Sequence, residues 1–405
     1  MQTSITEQFL ATKAGREAEN ILRACVHCGF CTATCPTYQL LCDELDGPRG
    51  RIYLIKQLLE GQPVTRVTQQ HLDRCLTCRS CETTCPSGVQ YGRLVDIGRD
   101  LVEQRIDRPT GQKLQRLVLR KLLPYPGRFS VLLNMAQLVK PLLPEALKNK
   151  LPVKQTPTQR AVKQHTHKML ILEGCAQSVT TPNTNEAVSR VLDQLGISLI
   201  SPAGQGCCGA VSQHLATGAE AREFIKTNID VWWPHIENGA EAIIITASGC
   251  GVQVKDYSHL LADDPQYAKK AQTVSGLCRD ISEVLAAEDL SALNIKAGSR
   301  VAFHSPCTLQ HGQQLNGQVE GILQQLGFKL TEVPDSHLCC GSAGTYSILQ
   351  PKLSQQLLNN KLQALNTEQP DIIVTANVGC QLHLNTKSQI LVRHWIELLD
   401  PAVDL

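Results

Sequence analysis

From residue 167 onward the chain alternates between two hydrophobic periods. HKMLILEGC (167–175) is a short apolar run closed by a glycine, and reads as a strand. NTNEAVSRVLDQLG (183–196) spaces its apolar residues by three and four, which predicts a helix stopped by Gly196. ISLISP, EAREFIKTNIDVWW and AEAIIITASGC continue as strand, helix and strand. The order then recurs in RVAFHSPC, QVEGILQQLG, FKLTEV, KLSQQLLNNKLQAL and PDIIVTANVGC. Strands alternating with helices predict a parallel α/β sheet in each half.

The first hundred residues and the segment after them read differently. MQTSITEQFLATKAGREAEN is polar and helical in pattern, without the form of a secretion signal. Between Arg108 and Lys168, LQRLVLRKLL and FSVLLNMAQLVKPLL predict short amphipathic helices broken by Pro124, Pro126, Pro141 and Pro144. That segment carries thirteen Lys or Arg against one acid, Glu145, in a chain whose formal net charge is only +2. The near-neutral total and 4% aromatic content exclude a nucleic-acid binder from the first readings. No apolar run approaches the roughly 18 residues of a spanning helix.

Cysteine changes the picture most. There are 18 in 405 residues, and without a secretion signal they point to metal or redox chemistry in a reducing cytoplasm rather than to disulfides. CVHCGFCTATCP (25–36) is echoed by CLTCRSCETTCP (75–86). Both have the form C-x2-C-x2-C-x3-C-P, the spacing of bacterial ferredoxins, in which the fourth cysteine ligates the companion cluster. Three cysteines at intervals of three wrap three corners of a cube, and the fourth, before a chain-turning proline, points away. On this pattern Cys25, Cys28, Cys31 and Cys85 hold one 4Fe–4S cluster, and Cys75, Cys78, Cys81 and Cys35 the other. Zinc also uses Cys-x2-Cys pairs, but it leaves the third cysteine and the Cys–Pro ending unexplained. Cys42 falls outside the pattern and reads as an ordinary, partly buried thiol.

A second repeat sets Cys175, Cys207–Cys208–Gly209 and Cys250 against Cys307, Cys339–Cys340–Gly341 and Cys380. The strand reading puts Cys175 and Cys250 at carboxyl ends of strands, the edge where open α/β sheets bind ligands, with the Cys–Cys–Gly turn between them. These eight are the candidates for an additional centre. Redox thiols without metal remain an open reading at this point. His304, His337 and His383 lie beside the second set and read first as hydrogen-bonded loop histidines. Cys278 belongs to neither repeat and reads as structural. No dinucleotide, P-loop or nucleophile-elbow motif is visible, so no FAD or NAD is expected on this chain. An iron–sulfur protein without a two-electron cofactor reads as a relay for a flavin elsewhere.

The Cys–Cys–Gly halves resemble the cysteine-rich domain of heterodisulfide reductase subunits, whose halves end in Cys-x2-Cys. Here Ala247 and Asn377 replace the first cysteine of that pair, which puts the family's five-thiolate cluster in doubt. Both ferredoxin motifs together with DELDGPRGRIYLIK, HLDRCLTCR, the ASGCG turn, HLCCGSAGTY and VTANVGCQ resemble, end to end, the iron–sulfur subunit of bacterial glycolate oxidase. The resemblance implies an electron-transfer subunit in a complex with FAD-linked-oxidase-type flavin subunits, which oxidises glycolate to glyoxylate and also D-lactate. It further implies a cytoplasmic protein on the inner face of the membrane and an acceptor other than NAD or oxygen, such as quinone. The basic segment reads either as a membrane- or partner-docking face or as a solvated linker. Related subunits for lactate utilisation, anaerobic glycerol-3-phosphate dehydrogenase and heterodisulfide reductase are the nearest alternatives, and a zinc scaffold is the alternative of another class. The expected architecture is an α+β multidomain protein: an α-helical two-cluster ferredoxin-type domain (1–107), a basic Pro-rich linker (108–167), and two α/β Cys–Cys–Gly halves (168–297 and 298–405).

Overall fold

The computed structural model describes residues 1–142, 144, 148, 151–161, 163–293, 295 and 297–402. Parts of the expected linker, including Glu145 and Lys150, lie outside the described residues. The chain forms two compact units, and both are discontinuous in sequence. One comprises residues 1–117, 213–217 and 337–361; the other comprises 118–212, 218–336 and 362–402 of the described chain.

The first unit is helical. Its main elements are α1 (Lys13–Ala24), α2 (Pro48–Leu59), α3 (Arg66–Asp73) and α4 (Tyr91–Arg105). Thr12 and Thr65 cap α1 and α3 by accepting backbone N–H bonds, and Pro48 opens α2 where its missing N–H costs nothing. Leu22, Ile55, Leu58, Leu59, Leu72, Leu94 and Val95 fill the core between them, each almost wholly buried. Burial of each such side chain stabilises by about 1.5–3 kcal/mol, so this small helical unit holds its loops on a firm base.

The second unit carries two four-stranded parallel sheets. The first is ordered β2-β1-β3-β4, from β1 (His167–Leu172), β2 (Ile197–Ile200), β3 (Ile243–Ile245) and β4 (Cys278–Asp280). The second repeats this order as β6-β5-β7-β8, from β5 (Arg300–His304), β6 (Lys329–Leu330), β7 (Ile372–Thr375) and β8 (Val392–His394). The alternation of strand side chains separates the two faces of each sheet. Ile171 and Ile244 enter one core with Val301, Phe303 and Val374 of the second sheet. Leu170, Leu172, Ile243 and Ile245 face a second core with Trp232 and the thiols of Cys175, Cys207 and Cys208.

Three details differ from the sequence reading. The edge strands β4 and β8 are additional to the expected pattern. FKLTEV contributes only the two residues of β6. Cys250 and Cys380 stand not on strands but in the first turns of α8 and α13, numbered in chain order among the helices of this unit: α5 (Pro126–Leu138), α6 (Pro182–Gln194), α7 (Gly218–Glu237), α8 (Ser248–Lys255), α9 (Ala268–Leu277), α10 (Ile281–Leu285), α11 (Gln318–Gln325), α12 (Pro351–Leu365, shared with the first unit) and α13 (Val378–Asn385). In each case the strand ends within two residues of a buried Thr, and the backbone turns directly into the helix.

Candidate metal centres

In the helical unit both ferredoxin-spaced runs adopt one backbone shape. His27 and Gly29 take left-handed conformations in the first run, and Thr77 and Arg79 take them at the matching positions of the second. Each loop then enters a one-turn helix, Phe30–Ala33 or Ser80–Thr83. The left-handed residues fold the chain back so that side chains three apart converge on one point.

The thiols fall into two groups. The charge neighbours of Cys31 include Cys25, Cys28 and Cys85; those of Cys81 include Cys78, Cys75 and Cys35. Three cysteines of each group come from one run and the fourth from the other. Burial, reinforced by the neighbouring sulfurs, pushes the Cys31 thiol up to about 11 and Cys81 well above the ordinary range. Sulfurs crowded in this way repel one another as thiolates unless a cation is shared among them. The four-sulfur donor sets therefore fit a metal cluster. Cys28 is exposed, whereas Cys35, Cys75 and Cys81 are buried; Cys42, expected to be partly buried, is exposed at the left-handed end of the short helix Pro36–Leu41. Thr77 N–H and Tyr91 Oη donate to Cys75 Sγ at 3.4 and 3.6 Å, and Thr37 Oγ1 lies 3.3 Å from Cys35 Sγ.

Sequence reasoning missed a buried ionic network beside the second group. Arg51 is 1% exposed. It donates to His71 O (2.7 Å), to Thr37 Oγ1 (3.2 Å from both Nη1 and Nη2) and to Asp46 Oδ1 (3.4 Å). Asp46 also accepts from Arg74 at 2.7 Å and lies 3.0 Å from His71 Nδ1. The only sequence signal was the DELDGPRGR stretch that holds Asp46 and Arg51. The second Cys–Cys–Gly turn belongs to this same unit: Gly341 N–H donates to Cys339 Sγ at 3.4 Å, and Tyr346 Oη donates to Arg74 O at 3.1 Å.

In the sheet unit the first tetrad is assembled. Cys175 Sγ lies 3.5 Å from Cys207 Sγ. Cys208 hydrogen-bonds to both Cys207 and Cys250, so the four sulfurs form one connected group. Cys207 accepts from the thiols of Cys175 and Cys208 and from the N–H groups of Gly209 and Val211; these hold it well below the ordinary thiol range despite burial. The donors Cys175 and Cys208 are pushed up in turn. Gly209 has φ 91°, and a Cβ there would meet Ala221 O at 3.1 Å. Asn228 Nδ2 and Tyr257 Oη fix the turn through the carbonyls of Cys207 (2.9 Å) and Cys208 (3.0 Å). An all-sulfur set with one thiol held well below the ordinary range fits a metal or cluster.

Of the second set, Cys307 and Cys380 belong to this unit and Cys339 and Cys340 to the helical one. Asn377, which stands where the cysteine-rich pattern has cysteine, donates from Nδ2 to Cys380 Sγ at 3.5 Å. His304 is buried at the end of β5, with Nδ1 3.1 Å from Thr375 Oγ1. Cys278 opens β4 fully buried, and burial pushes its thiol up to about 12.

Comparison with known proteins places these sites in a family context. A family model described as a 4Fe-4S dicluster domain matches residues 21–89, and a cysteine-rich domain model matches 169–255 and 301–385. The chain is 55% identical over 405 residues to the glycolate oxidase iron-sulfur subunit of Escherichia coli (strain K12), covering the whole of both proteins. It belongs to the glycolate oxidase iron–sulfur subunit family. A probable glycolate oxidase iron-sulfur subunit of Bacillus subtilis (strain 168) is 29% identical, over 91% of this chain and 89% of that protein. Among solved structures, a hypothetical protein from Helicobacter pylori shares the fold with a TM-score of 0.56 at 12% identity, over 97% of this chain and 74% of that one. The family carries iron–sulfur centres, and the α+β multidomain architecture follows from the dicluster domain and the two cysteine-rich copies.

Proposed function

We propose that this chain is the iron–sulfur electron-transfer subunit of a membrane-associated glycolate oxidase complex. It takes electrons from an FAD-linked-oxidase-type flavin partner, which oxidises glycolate to glyoxylate and also accepts D-lactate, and passes them to a non-NAD, non-oxygen acceptor such as quinone. The observation that carries the reading is the end-to-end match to a relative of that name, in a chain whose eight N-terminal thiols gather as two interleaved fours. In this reading Cys25, Cys28, Cys31 and Cys85 hold one 4Fe–4S cluster, and Cys75, Cys78, Cys81 and Cys35 hold the other. Such clusters supply one-electron transfer when bound. The chain's own part is to shield them, fix their spacing and set the charge around them.

Cys175, Cys207, Cys208 and Cys250 are assigned to a third metal centre, because their sulfurs form one connected group in which hydrogen bonds hold Cys207 well below the ordinary thiol range. The domain reading of 1–107, 108–167, 168–297 and 298–405 is kept as the division of function along the sequence. For the membrane face, α5 supplies the support: Val131, Leu132, Met135 and Leu138 are exposed along one side, and Leu142 beyond it is 86% exposed. No described helix is long and apolar enough to cross a membrane, so this side would lie on the lipid surface rather than span it.

The test is to purify the chain with its co-expressed flavin partners under anaerobic conditions and follow dye reduction. Glycolate-dependent reduction, lost in Cys78→Ser, is the expected result. Reduction driven by L-lactate or glycerol-3-phosphate but not by glycolate would overturn the reading.

A further inference from the structure

The two groups of N-terminal thiols sit in different electrostatic surroundings. Around Cys35 and Cys75 lies Arg51, a cation removed from water, whose charge neighbours include Tyr91, Cys75, Cys35 and Asp46. It touches the sulfur environment through Thr37, which bonds Arg51 on one side and faces Cys35 Sγ on the other. Its counter-charge is incomplete. Asp46 is shared between Arg51 and Arg74, so two guanidinium groups face one carboxylate. A further cation, Arg99, donates to Cys75 O at 2.6 Å, but it has its own acid, Asp96, at 3.8 Å. Near the other group, Arg49 is 37% exposed and pairs with Glu44 at 2.7 Å, so its field is both neutralised and screened by solvent.

We infer that Arg51 is the residue that raises the reduction potential of the centre held by Cys35, Cys75, Cys78 and Cys81, with Asp46 as the partner that moderates it. The inference rests on the assignment of that centre to a 4Fe–4S cluster. Reduction takes one electron from the reduced flavin partner and adds one negative charge to the centre; no bond forms or breaks. Burial of the ligands opposes that added charge, and burial alone would make this centre harder to reduce than the one beside exposed Cys28. A fixed cation at close range, in a medium that screens poorly, acts in the opposite sense. Arg51 is suited to this task because its charge does not titrate and its planar donors are locked by three partners. It is therefore a positioning and tuning residue, not a ligand.

The experiment is an anaerobic redox titration of the purified complex followed by low-temperature EPR. A Cys28→Ala background marks the other centre by leaving it three cysteines. Arg51→Gln is expected to lower the midpoint of the Cys75 centre by at least a tenfold change in its reduction equilibrium, about 59 mV for one electron. Asp46→Asn is expected to raise the same midpoint, and the double variant to fall between the two. The marked centre should not move with either. An unchanged midpoint in Arg51→Gln, or a shift of both single variants in the same direction, would overturn the inference, since mere loosening of the fold has no reason to change sign. If Arg51→Gln fails to accumulate, Asp46→Asn alone still decides, because a midpoint that falls or stays still contradicts the assigned role. Absence of iron from the wild-type protein would defeat the cluster assignment and this inference with it, and is read independently by metal analysis.

Discussion

Single residues carry much of what holds the sites. Gly341 has φ 88°, and a Cβ there would lie 2.6 Å from Ser354 O and 2.9 Å from Leu357 Cβ. Gly317 has φ 78° with open space around it. Gly341→Ala should therefore cost at least about 2 kcal/mol, from backbone strain plus a clash, and Gly317→Ala about 1 kcal/mol from strain alone. Thermal unfolding of the two variants checks the difference, and equal shifts would argue against close packing of the turn. His394 makes a second case. Fully buried, it donates from Nε2 to Thr246 O at 3.0 Å, and burial lowers its pKa from 6.5 to about 4. Between these values the unfolded chain binds the proton more readily than the folded one, so stability falls as pH drops from 6.5 towards 4 and is fully present above 6.5. The expected loss from this group is about 2 kcal/mol on going from about pH 7.5 to about pH 5. All three tryptophans, Trp232, Trp233 and Trp395, lie with His394 in the sheet unit, so denaturation followed by their fluorescence reads it, and His394→Gln should lose less on acidification.

At the scale of elements, the long periodic segments were legible and the short ones were not. Helices α6 and α7 and strands β1 and β5 follow their hydrophobic patterns because each buries a continuous apolar face. Strands β4 (CRD) and β8 (VRH) have three residues with an arginine in the middle, so nothing in their local pattern separates them from loop; pairing to β3 and β7 makes them strands. The same limit hid Arg51, since a charged residue in a helical pattern reads as solvent-facing until its partners Asp46, Thr37 and His71, five to twenty residues away, are in place. The basic segment was legible in charge but not in use. Arg108 and Arg116 pair with Asp73, Arg120 and Lys121 with Glu220, and Arg160 with Glu173 and Glu186. Much of its charge is thus answered within the protein, and the apolar side of α5 is what stands out. Met135→Glu with Leu138→Glu should reduce co-flotation of the complex with anionic phospholipid vesicles several-fold while leaving dye reduction unchanged. Undiminished flotation would remove α5 from the membrane reading.

At the scale of the whole molecule, the sequence repeats predicted both the dicluster-type N-terminal domain and the doubled parallel sheet. They did not predict that each compact unit would draw on distant stretches of chain, with the second Cys–Cys–Gly turn folded into the helical unit. A cysteine repeat at constant spacing implies equal halves, but the contacts that recruit a loop to another core are not local. The first tetrad also yields a prediction at this scale. Cys207→Ser with Cys250→Ser should remove the metal proposed for this tetrad while leaving the EPR signals of the N-terminal centres unchanged. An unaltered metal content would leave those four thiols as redox groups only. The central claim is the interleaving of the two N-terminal sets, and iron counted per chain in paired substitutions tests it most directly. Cys28→Ser with Cys85→Ser should strike one centre and lose about four irons, whereas Cys78→Ser with Cys85→Ser should strike both and lose about eight. The reverse ranking would contradict the interleaved assignment, and zinc in place of iron would contradict the electron-transfer account altogether.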